Sequence, residues 1–170
     1  RIMIAAHMDE VGFMITYHDG DGLFRFEKIG GIKDAQLPGQ TVRIGRKEFP
    51  GVIGAKPIHL ASSDEHKRNI SLENLRIDVG PDNGGKVQVG DQAAFGSEFR
   101  RLGPSLRTKA LDDRLGVASL IELVLHAPDN IDLLAAFTVQ EEVGLRGAQT
   151  AAYSLDPDLA FVLDLSLIHI

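Results

Sequence analysis

The sequence predicts an α/β fold in which a parallel-rich sheet with flanking helices carries a small inserted β-barrel. Three observations predict this fold: short continuous apolar runs, a region of helical periodicity, and a glycine-punctuated middle segment. The apolar runs span residues 1–6 (RIMIAA), 131–139 (IDLLAAFTV) and 159–163 (LAFVL). Continuous rather than alternating hydrophobicity is typical of strands covered on both faces, as in a parallel sheet between helices.

The flanking helices are predicted from apolar spacing. Between residues 113 and 126, apolar side chains recur at helical intervals and form one face, made of Leu115, Ala118, Ile121, Val124 and Leu125. Asp113 is expected to start this helix, because negative charge is favourable at the positive end of the helix dipole. Residues 143–153 predict a turn followed by a second helix.

The middle of the chain predicts the barrel. Short β-like runs, such as 22–26 (GLFRF), 41–44 (TVRI) and 86–89 (KVQV), are separated there by glycine-containing turns. This pattern favours a small all-β unit over further parallel strands and helices.

The domain assignment follows from these patterns. Residues 12–98 are assigned to the inserted barrel, and residues 1–11 together with 99–170 to the α/β domain. Because the insertion leaves and returns to the same sheet, the two parts of the α/β domain meet in space. The polar stretch 62–69 (SSDEHKRN) is expected to be a solvated loop of the insertion.

Composition narrows the class of protein. The chain has 170 residues, of which 44% are hydrophobic and 25% charged, and these values are ordinary for a globular protein. Its net charge of −6 argues against nucleic-acid or anionic-membrane partners. The absence of cysteine excludes disulfides and thiol catalysis. No apolar run approaches the roughly 18 residues of a membrane span, and we expect a cytoplasmic enzyme.

Polar side chains follow all three apolar runs. His7 and Asp9 follow the first run, Glu141 and Glu142 follow the second, and Asp164 follows the third. Ligands of open α/β sheets gather just beyond the carboxyl ends of the strands, so these clusters are expected to meet. One imidazole and several carboxylates, without cysteine, suit Zn²⁺, Mn²⁺ or Co²⁺.

The number of carboxylates exceeds what one metal ion needs. Asp112, at the start of the predicted helix, adds a further candidate ligand. In two-metal hydrolases a carboxylate bridges both ions, and a surplus carboxylate acts as general base. Glu141 and Glu142 fit such a division, because adjacent side chains at a strand end point in different directions. Each cluster alone has an ordinary structural explanation as a strand cap, turn or helix start, but their joint position favours a metal site.

Four ordered blocks resemble the glutamyl aminopeptidase and tetrahedral aminopeptidase family of dinuclear metallopeptidases, some of which carry an endoglucanase label. The blocks are residues 5–14 (AAHMDEVGFM), 51–60 (GVIGAKPIHL), 109–118 (KALDDRLGVA) and 139–148 (VQEEVGLRGA). The resemblance implies a zinc-exopeptidase-like α/β domain with an accessory barrel. It also implies an aminopeptidase that removes N-terminal residues from peptides, and a homo-oligomer, commonly a dodecamer.

The resemblance implies two divalent ions per chain, Zn²⁺ or Co²⁺ and possibly Mn²⁺, and a ligand set for them. His7 would bind the first ion, Asp112 would bridge both, Glu142 would bind the second, and Asp164 would complete the first.

The same resemblance implies roles around these ligands. Glu141 matches the family's general base, and Asp9 matches the carboxylate that hydrogen-bonds the ligating His7 and fixes its tautomer. It also implies a cis peptide bond between Asp112 and Asp113.

One part of the family pattern is not matched. The family takes a further histidine ligand for the second metal from a segment well beyond Asp164, and the sequence ends at Ile170. His169 lies in a tail, residues 165–170, that does not follow the pattern and is not expected to replace this ligand. We therefore expect this segment to be inactive by itself.

Other functions stay open at the level of sequence. A different two-metal amidohydrolase, such as a deacylase or carboxypeptidase, would use the same ligands. An endoglucanase would instead need a carboxylate pair across a sugar groove. A third alternative is an assembly module without activity.

Overall fold

The computed structural model describes residues 1–55 and 70–165. The chain forms two compact units, one made of Arg1–Glu10 and Ala110–Ile170 and the other of Val11–Lys109. Val11 and residues 99–109, which sequence analysis assigned to the α/β domain, belong to the second unit. The predicted loop at 62–69 and His169 lie outside the described residues.

The elements are numbered along the chain. The strands are β1 (Ile2–His7), β2 (Gly12–Gly20), β3 (Leu23–Ile29), β4 (Thr41–Ile44), β5 (Phe49–Ala55), β6 (Leu75–Asp78), β7 (Gln92–Phe95), β8 (Arg100–Leu102), β9 (Ser105–Arg107), β10 (Leu133–Thr138) and β11 (Leu159–Val162). The described α-helices are α1 (Leu111–Leu125) and α2 (Arg146–Leu155). None of the helices in the described part of the chain is long and apolar enough to cross a membrane.

The first unit contains a parallel sheet in the order β10-β1-β11. Its central strand β1 is the best buried, and Met3 and Ala5 pack with Ala136 against apolar side chains of α2. Helix α1 also packs against β1. The parallel strands and both predicted helices of this sheet are confirmed.

The prediction that all three strands are covered on both faces is wrong for β11. Its side chains are exposed in the described structure, with Phe161 51% and Val162 67% accessible. β11 pairs only with β1 among the described strands, so one of its edges is unpaired there.

Helix α1 packs through a different face from the one predicted. Leu120 and Gly116 are buried, whereas Leu115 and Ile121 of the predicted apolar face are 51% and 46% exposed. Gly116 leaves room for the Asp113 carboxylate, because it has no side chain. Asp113 starts the regular helix as predicted, since its Oδ1 accepts the Gly116 backbone N–H at 3.0 Å.

The second unit contains a closed antiparallel barrel in the order β2-β3-β6-β5-β4-β7, which confirms the predicted barrel. Its core is apolar and fully enclosed, with Phe13, Phe24, Ile53 and Ile77 at 1% exposure or less. Phe13 makes edge-to-face contacts with Phe26 and Phe95, each with ring centroids 5.2 Å apart.

The prediction of a strand at residues 86–89 (KVQV) is wrong. Lys86 ends a 3-10 helix (Pro81–Lys86), and β7 begins only at Gln92. A turn separates them, because Gly90 adopts a φ of +92° and the Asp91 carboxylate accepts the Gln88 backbone N–H at 2.8 Å. The alternating valines of residues 86–89 resemble the pattern of a strand although they lie in this turn region, and this resemblance led to the wrong prediction.

Candidate metal centre

The first unit brings three of the predicted ligands together at one edge of its sheet. His7 ends β1, Asp112 lies at the start of α1, and Asp164 follows β11. One ligand atom from each lies within 4.8 Å of those of the other two. Strand register explains the meeting, because β1 and β11 run parallel with Ala5 beside Val162, so Asp164 follows at the level of His7.

His7 is the buried member of this cluster. Its side chain is 4% exposed, and its Nε2 lies 3.1 Å from Asp112 Oδ1 and 3.8 Å from Glu141 Oε2. Burial opposes protonation, but the Asp112 hydrogen bond and the neighbouring carboxylates of Glu141 and Asp9 raise the pKa of His7 above its ordinary value. The cluster therefore attracts positive charge at the Nε2 position.

The carboxylates of the cluster repel one another. Burial, followed by the charges of Glu141 and Asp112, raises the pKa of Glu142 above its ordinary value. Burial also raises the pKa of Asp113. A divalent cation would relieve this repulsion, and the imidazole and carboxylate donors suit such an ion. The residues present therefore fit the metal that the sequence predicted.

Glu141 and Glu142 follow β10 on a turn. Glu141 reaches the edge of the cluster, since its carboxylate lies 3.8 Å from His7 Nε2. Glu142 is not a member of the group of ligand atoms that lie within 4.8 Å of one another. The described residues thus bring together the predicted first ligand set, with Glu141 beside it, and leave Glu142 outside the tight group.

Asp9 makes contacts that sequence reasoning did not predict. Its Oδ1 and Oδ2 accept the backbone N–H groups of Glu141 and Glu142, each at 3.2 Å. The Nδ1 atom of His7 lies 3.2 Å from the backbone oxygen of Asp9 and 3.5 Å from Asp9 Oδ1. The role of Asp9 in fixing the His7 tautomer stays a prediction.

Two further residues lie near the cluster, and sequence analysis assigned neither of them a role as ligand or base. Asp113 is 1% exposed, and its carboxylate lies against Gly116. Arg114 donates from Nε to the backbone oxygen of Met8 at 2.9 Å, which ties the start of α1 to the segment after β1. The spacing of an aspartate three residues before a glycine was the available signal for the first. The peptide bond between Asp112 and Asp113 is cis, as the family resemblance implies.

The fold and site together define an α/β unit with a histidine and carboxylate cluster that could hold a metal ion, joined in sequence to a β-barrel. The whole-sequence comparison agrees, because residues 1–169 match the family of M42 glutamyl aminopeptidases. The chain belongs to this family.

Solved structures with the same fold come from several organisms. The TET aminopeptidase of the marine sediment archaeon Thaumarchaeota archaeon SCGC AB-539-E09 is 35% identical, with a TM-score of 0.90 over 99% of this chain and 51% of that one. The TET1 peptidase of Pyrococcus horikoshii is 40% identical, with a TM-score of 0.82 over 96% of this chain and 52% of that one. It is described as assembling into a tetrahedron or a large octahedral shell.

A third similar structure has a different description. A Thermotoga maritima protein described as an endoglucanase is 32% identical, with a TM-score of 0.76 over 97% of this chain and 49% of that one. The chain spans about half the length of the curated relatives that it matches.

Proposed function

We propose that this chain supplies part of the active site of a metal-dependent aminopeptidase, which removes the N-terminal residue from peptides. The observation that carries the proposal is the cluster of His7, Asp112 and Asp164 with the Glu141 carboxylate beside it. Membership of the M42 family and the fold shared with TET aminopeptidases support the same activity.

The metal ligands are proposed as the sequence analysis named them. His7, Asp112 and Asp164 would hold one ion, and Asp112 and Glu142 would hold a second, with Zn²⁺ or Co²⁺ favoured over Mn²⁺. When bound, such ions polarise the substrate carbonyl and lower the pKa of a bound water. Asp112→Ala should abolish binding of both ions, as measured by metal analysis after dialysis. A variant that retains two ions per chain would refute the bridging role of Asp112.

Glu141 is proposed as the general base. Its carboxylate would take the proton from the attacking water and give it to the leaving amine. Its position beside the cluster, with Oε2 3.8 Å from His7 Nε2, supports this role. Glu142, its neighbour in sequence, would face the metal ions.

Residues 1–170 are proposed to be inactive by themselves. The described cluster contains one histidine, whereas the family resemblance implies a second histidine from a segment beyond Asp164.

A homo-oligomer, with a dodecamer as the expected form, is also proposed, because the related TET1 peptidase is described as a dodecamer and as larger shells. A cytoplasmic location completes the proposal, and cell fractionation would test it.

The experiment compares the chain with a version extended to the length of its relatives. Both are loaded with Zn²⁺ or Co²⁺ and assayed on one peptide with a free α-amine and on the same peptide N-acetylated. The proposal predicts hydrolysis of the free-amine peptide by the extended protein alone, with loss of activity in chelator. Failure of the extended protein to bind metal or cleave either peptide would refute it.

The same assay separates the alternative hydrolases. Cleavage of the N-acetylated peptide would favour a deacylase or carboxypeptidase that uses the same ligands. The endoglucanase description of the Thermotoga maritima relative favours one other candidate. Glycosidases of the usual two-carboxylate type need no metal, so cleavage of cellulose that survives chelation would support that activity instead.

A further inference from the structure

The Asp9 carboxylate binds two consecutive backbone amides that lie far away in sequence. Its Oδ1 accepts the Glu141 N–H and its Oδ2 accepts the Glu142 N–H, each at 3.2 Å. Both oxygens are therefore used, and one side chain holds the two residues that carry the proposed base and a proposed ligand. Hydrogen bonds from backbone amides to a carboxylate are charge-assisted and stronger than those between neutral groups.

Among the described residues, few backbone hydrogen bonds join the segment that Asp9 holds to β1. The last backbone hydrogen bond between the two strand ends runs from the Met8 N–H to the Thr138 oxygen, at 2.8 Å. Beyond it, Gln140 adopts a φ of +60°, and the Gly144 N–H bonds back to the Glu141 oxygen within the turn itself. These internal bonds shape the turn but do not fix it against β1.

The contact of Asp9 with His7 does not account for a carboxylate at this position. The backbone oxygen of Asp9 lies 3.2 Å from His7 Nδ1, and any residue would supply this oxygen. The carboxylate Oδ1 is farther away, at 3.5 Å. The two amides thus explain the aspartate side chain better than the imidazole does.

We propose that Asp9 is a positioning residue for Glu141 and Glu142 and acts through their backbone amides. The inference rests on the proposed function, because it assigns these two side chains their roles. By fixing both amides, Asp9 sets the direction in which each of the adjacent side chains leaves the turn. Glu141 then reaches the cluster, where its Oε2 lies 3.8 Å from His7 Nε2.

The test measures hydrogen exchange of individual amides by NMR on the metal-free chain, so it does not depend on activity. Asp9→Ala removes both acceptors, and Asp9→Asn keeps one carbonyl oxygen but replaces the other acceptor by an NH₂ group. We expect exchange at Glu141 and Glu142 to accelerate about 10-fold or more in Asp9→Ala, with an intermediate increase in Asp9→Asn. The Met8 amide, bonded to Thr138, should keep its protection in both variants.

His7→Ala is the matched control. It removes the imidazole and leaves the carboxylate and both amides in place, so the proposal expects unchanged exchange at Glu141 and Glu142. Equal acceleration in His7→Ala and Asp9→Ala would overturn the proposal, because Asp9 would then act through His7. Unchanged exchange in Asp9→Ala would overturn it as well. If the Met8 amide loses protection in Asp9→Ala, that variant has lost more than the two hydrogen bonds, and Asp9→Asn decides the test. Exchange at Glu141 and Glu142 in Asp9→Asn at the wild-type rate would then refute the proposal.

A kinetic measurement on the extended, metal-loaded enzyme gives a second criterion. Asp9→Asn should lower kcat with little change in KM, because a displaced base affects the transition state more than substrate binding. A rise in KM with unchanged kcat would contradict the positioning role. If the extended protein has no peptidase activity, the proposed function fails, while the exchange result still decides whether Asp9 holds the two amides.

Discussion

The barrel and the α/β unit bury different kinds of side chains. The barrel closes on itself, and its core consists of apolar residues such as Phe13 and Ile77. The α/β unit has a small apolar core around Met3 and Ala5, and it also buries His7 and Asp113. Packing therefore explains the barrel, whereas the α/β unit accepts buried polar groups that cost stability unless they are paired or bind an ion. The difference separates a structural unit from one built around a chemical site.

The largest effect that we predict concerns the chemistry of the α/β unit. Glu141→Gln in the extended, metal-loaded protein should keep bound metal and lose turnover by about 100-fold to 10,000-fold, because the amide cannot accept the proton of the attacking water. Metal analysis and kcat on a free-amine peptide measure the two outcomes. Glu27→Gln, on a barrel strand, is the matched control and should leave kcat unchanged. Activity retained in Glu141→Gln would refute the base assignment.

Much of this contrast was predictable from the sequence. The continuous apolar runs predicted the parallel strands, and the polar residues after them predicted that His7 and Asp164 would meet, because parallel strands end at one edge of a sheet. The glycine-rich middle predicted the barrel. These features follow from continuous apolar runs and glycine-containing turns, which are local patterns visible in a single sequence.

Other features depend on contacts between distant residues. The buried face of α1 runs through Asp113, Gly116 and Leu120, and a hydrophobic pattern does not reveal a face that contains an aspartate and a glycine. The amide contacts of Asp9 arise from a turn more than a hundred residues away, at Glu141 and Glu142. The amino-acid sequence does not show which backbone N–H group donates to a distant side chain. These contacts could therefore be identified only from the structure.

The second prediction compares the two units by stability. Phe13→Ala should lower the free energy of unfolding of the barrel by about 3–5 kcal/mol, because its ring is fully enclosed and contacts Phe26 and Phe95. Phe161→Ala in β11 should change stability by no more than about 0.5 kcal/mol, since the side chain is 51% exposed. Urea unfolding of both variants, followed by circular dichroism, measures the difference. A large loss in Phe161→Ala would show that β11 is covered in solution.

The third prediction tests the close packing at the start of α1. A Cβ atom on Gly116 would overlap with the Asp113 carboxylate oxygens, so Gly116→Ala must displace a buried side chain beside Asp112. We expect a loss of about 1–3 kcal/mol in the free energy of unfolding, as for other overpacked sites, together with weaker Co²⁺ binding. Gly85→Ala is the control, because a Cβ there meets no atom within 4 Å. Unchanged stability and Co²⁺ affinity in Gly116→Ala would show that the helix start adapts freely.

The smallest effects that we predict are opposite pH dependences of the two units. In the barrel, the Lys28 ammonium and the Leu72 N–H hold the pKa of Asp34 below its ordinary value. This interaction contributes stability above the unfolded-state pKa, and the contribution is lost as the pH falls through the lower folded-state value.

The metal-free α/β unit should behave in the opposite way. The pKa of His7 is raised by its carboxylate neighbours, so its contribution is present below the unfolded-state value near 6.5 and is lost as the pH rises through the higher folded-state value. Amide exchange of the β1 and β4 residues, measured from about pH 2 to 8 in chelator and corrected for the intrinsic rate, reports each unit separately. Asp34→Asn should flatten only the acid dependence of β4, and His7→Gln only the loss in β1 at higher pH.

If both units lose protection on the same side of neutrality, the buried charges of the metal cluster do not control the stability of the α/β unit. If the directions differ as predicted, added Zn²⁺ should remove the loss at higher pH, because the cation then replaces the proton as the positive charge beside His7 and Asp112.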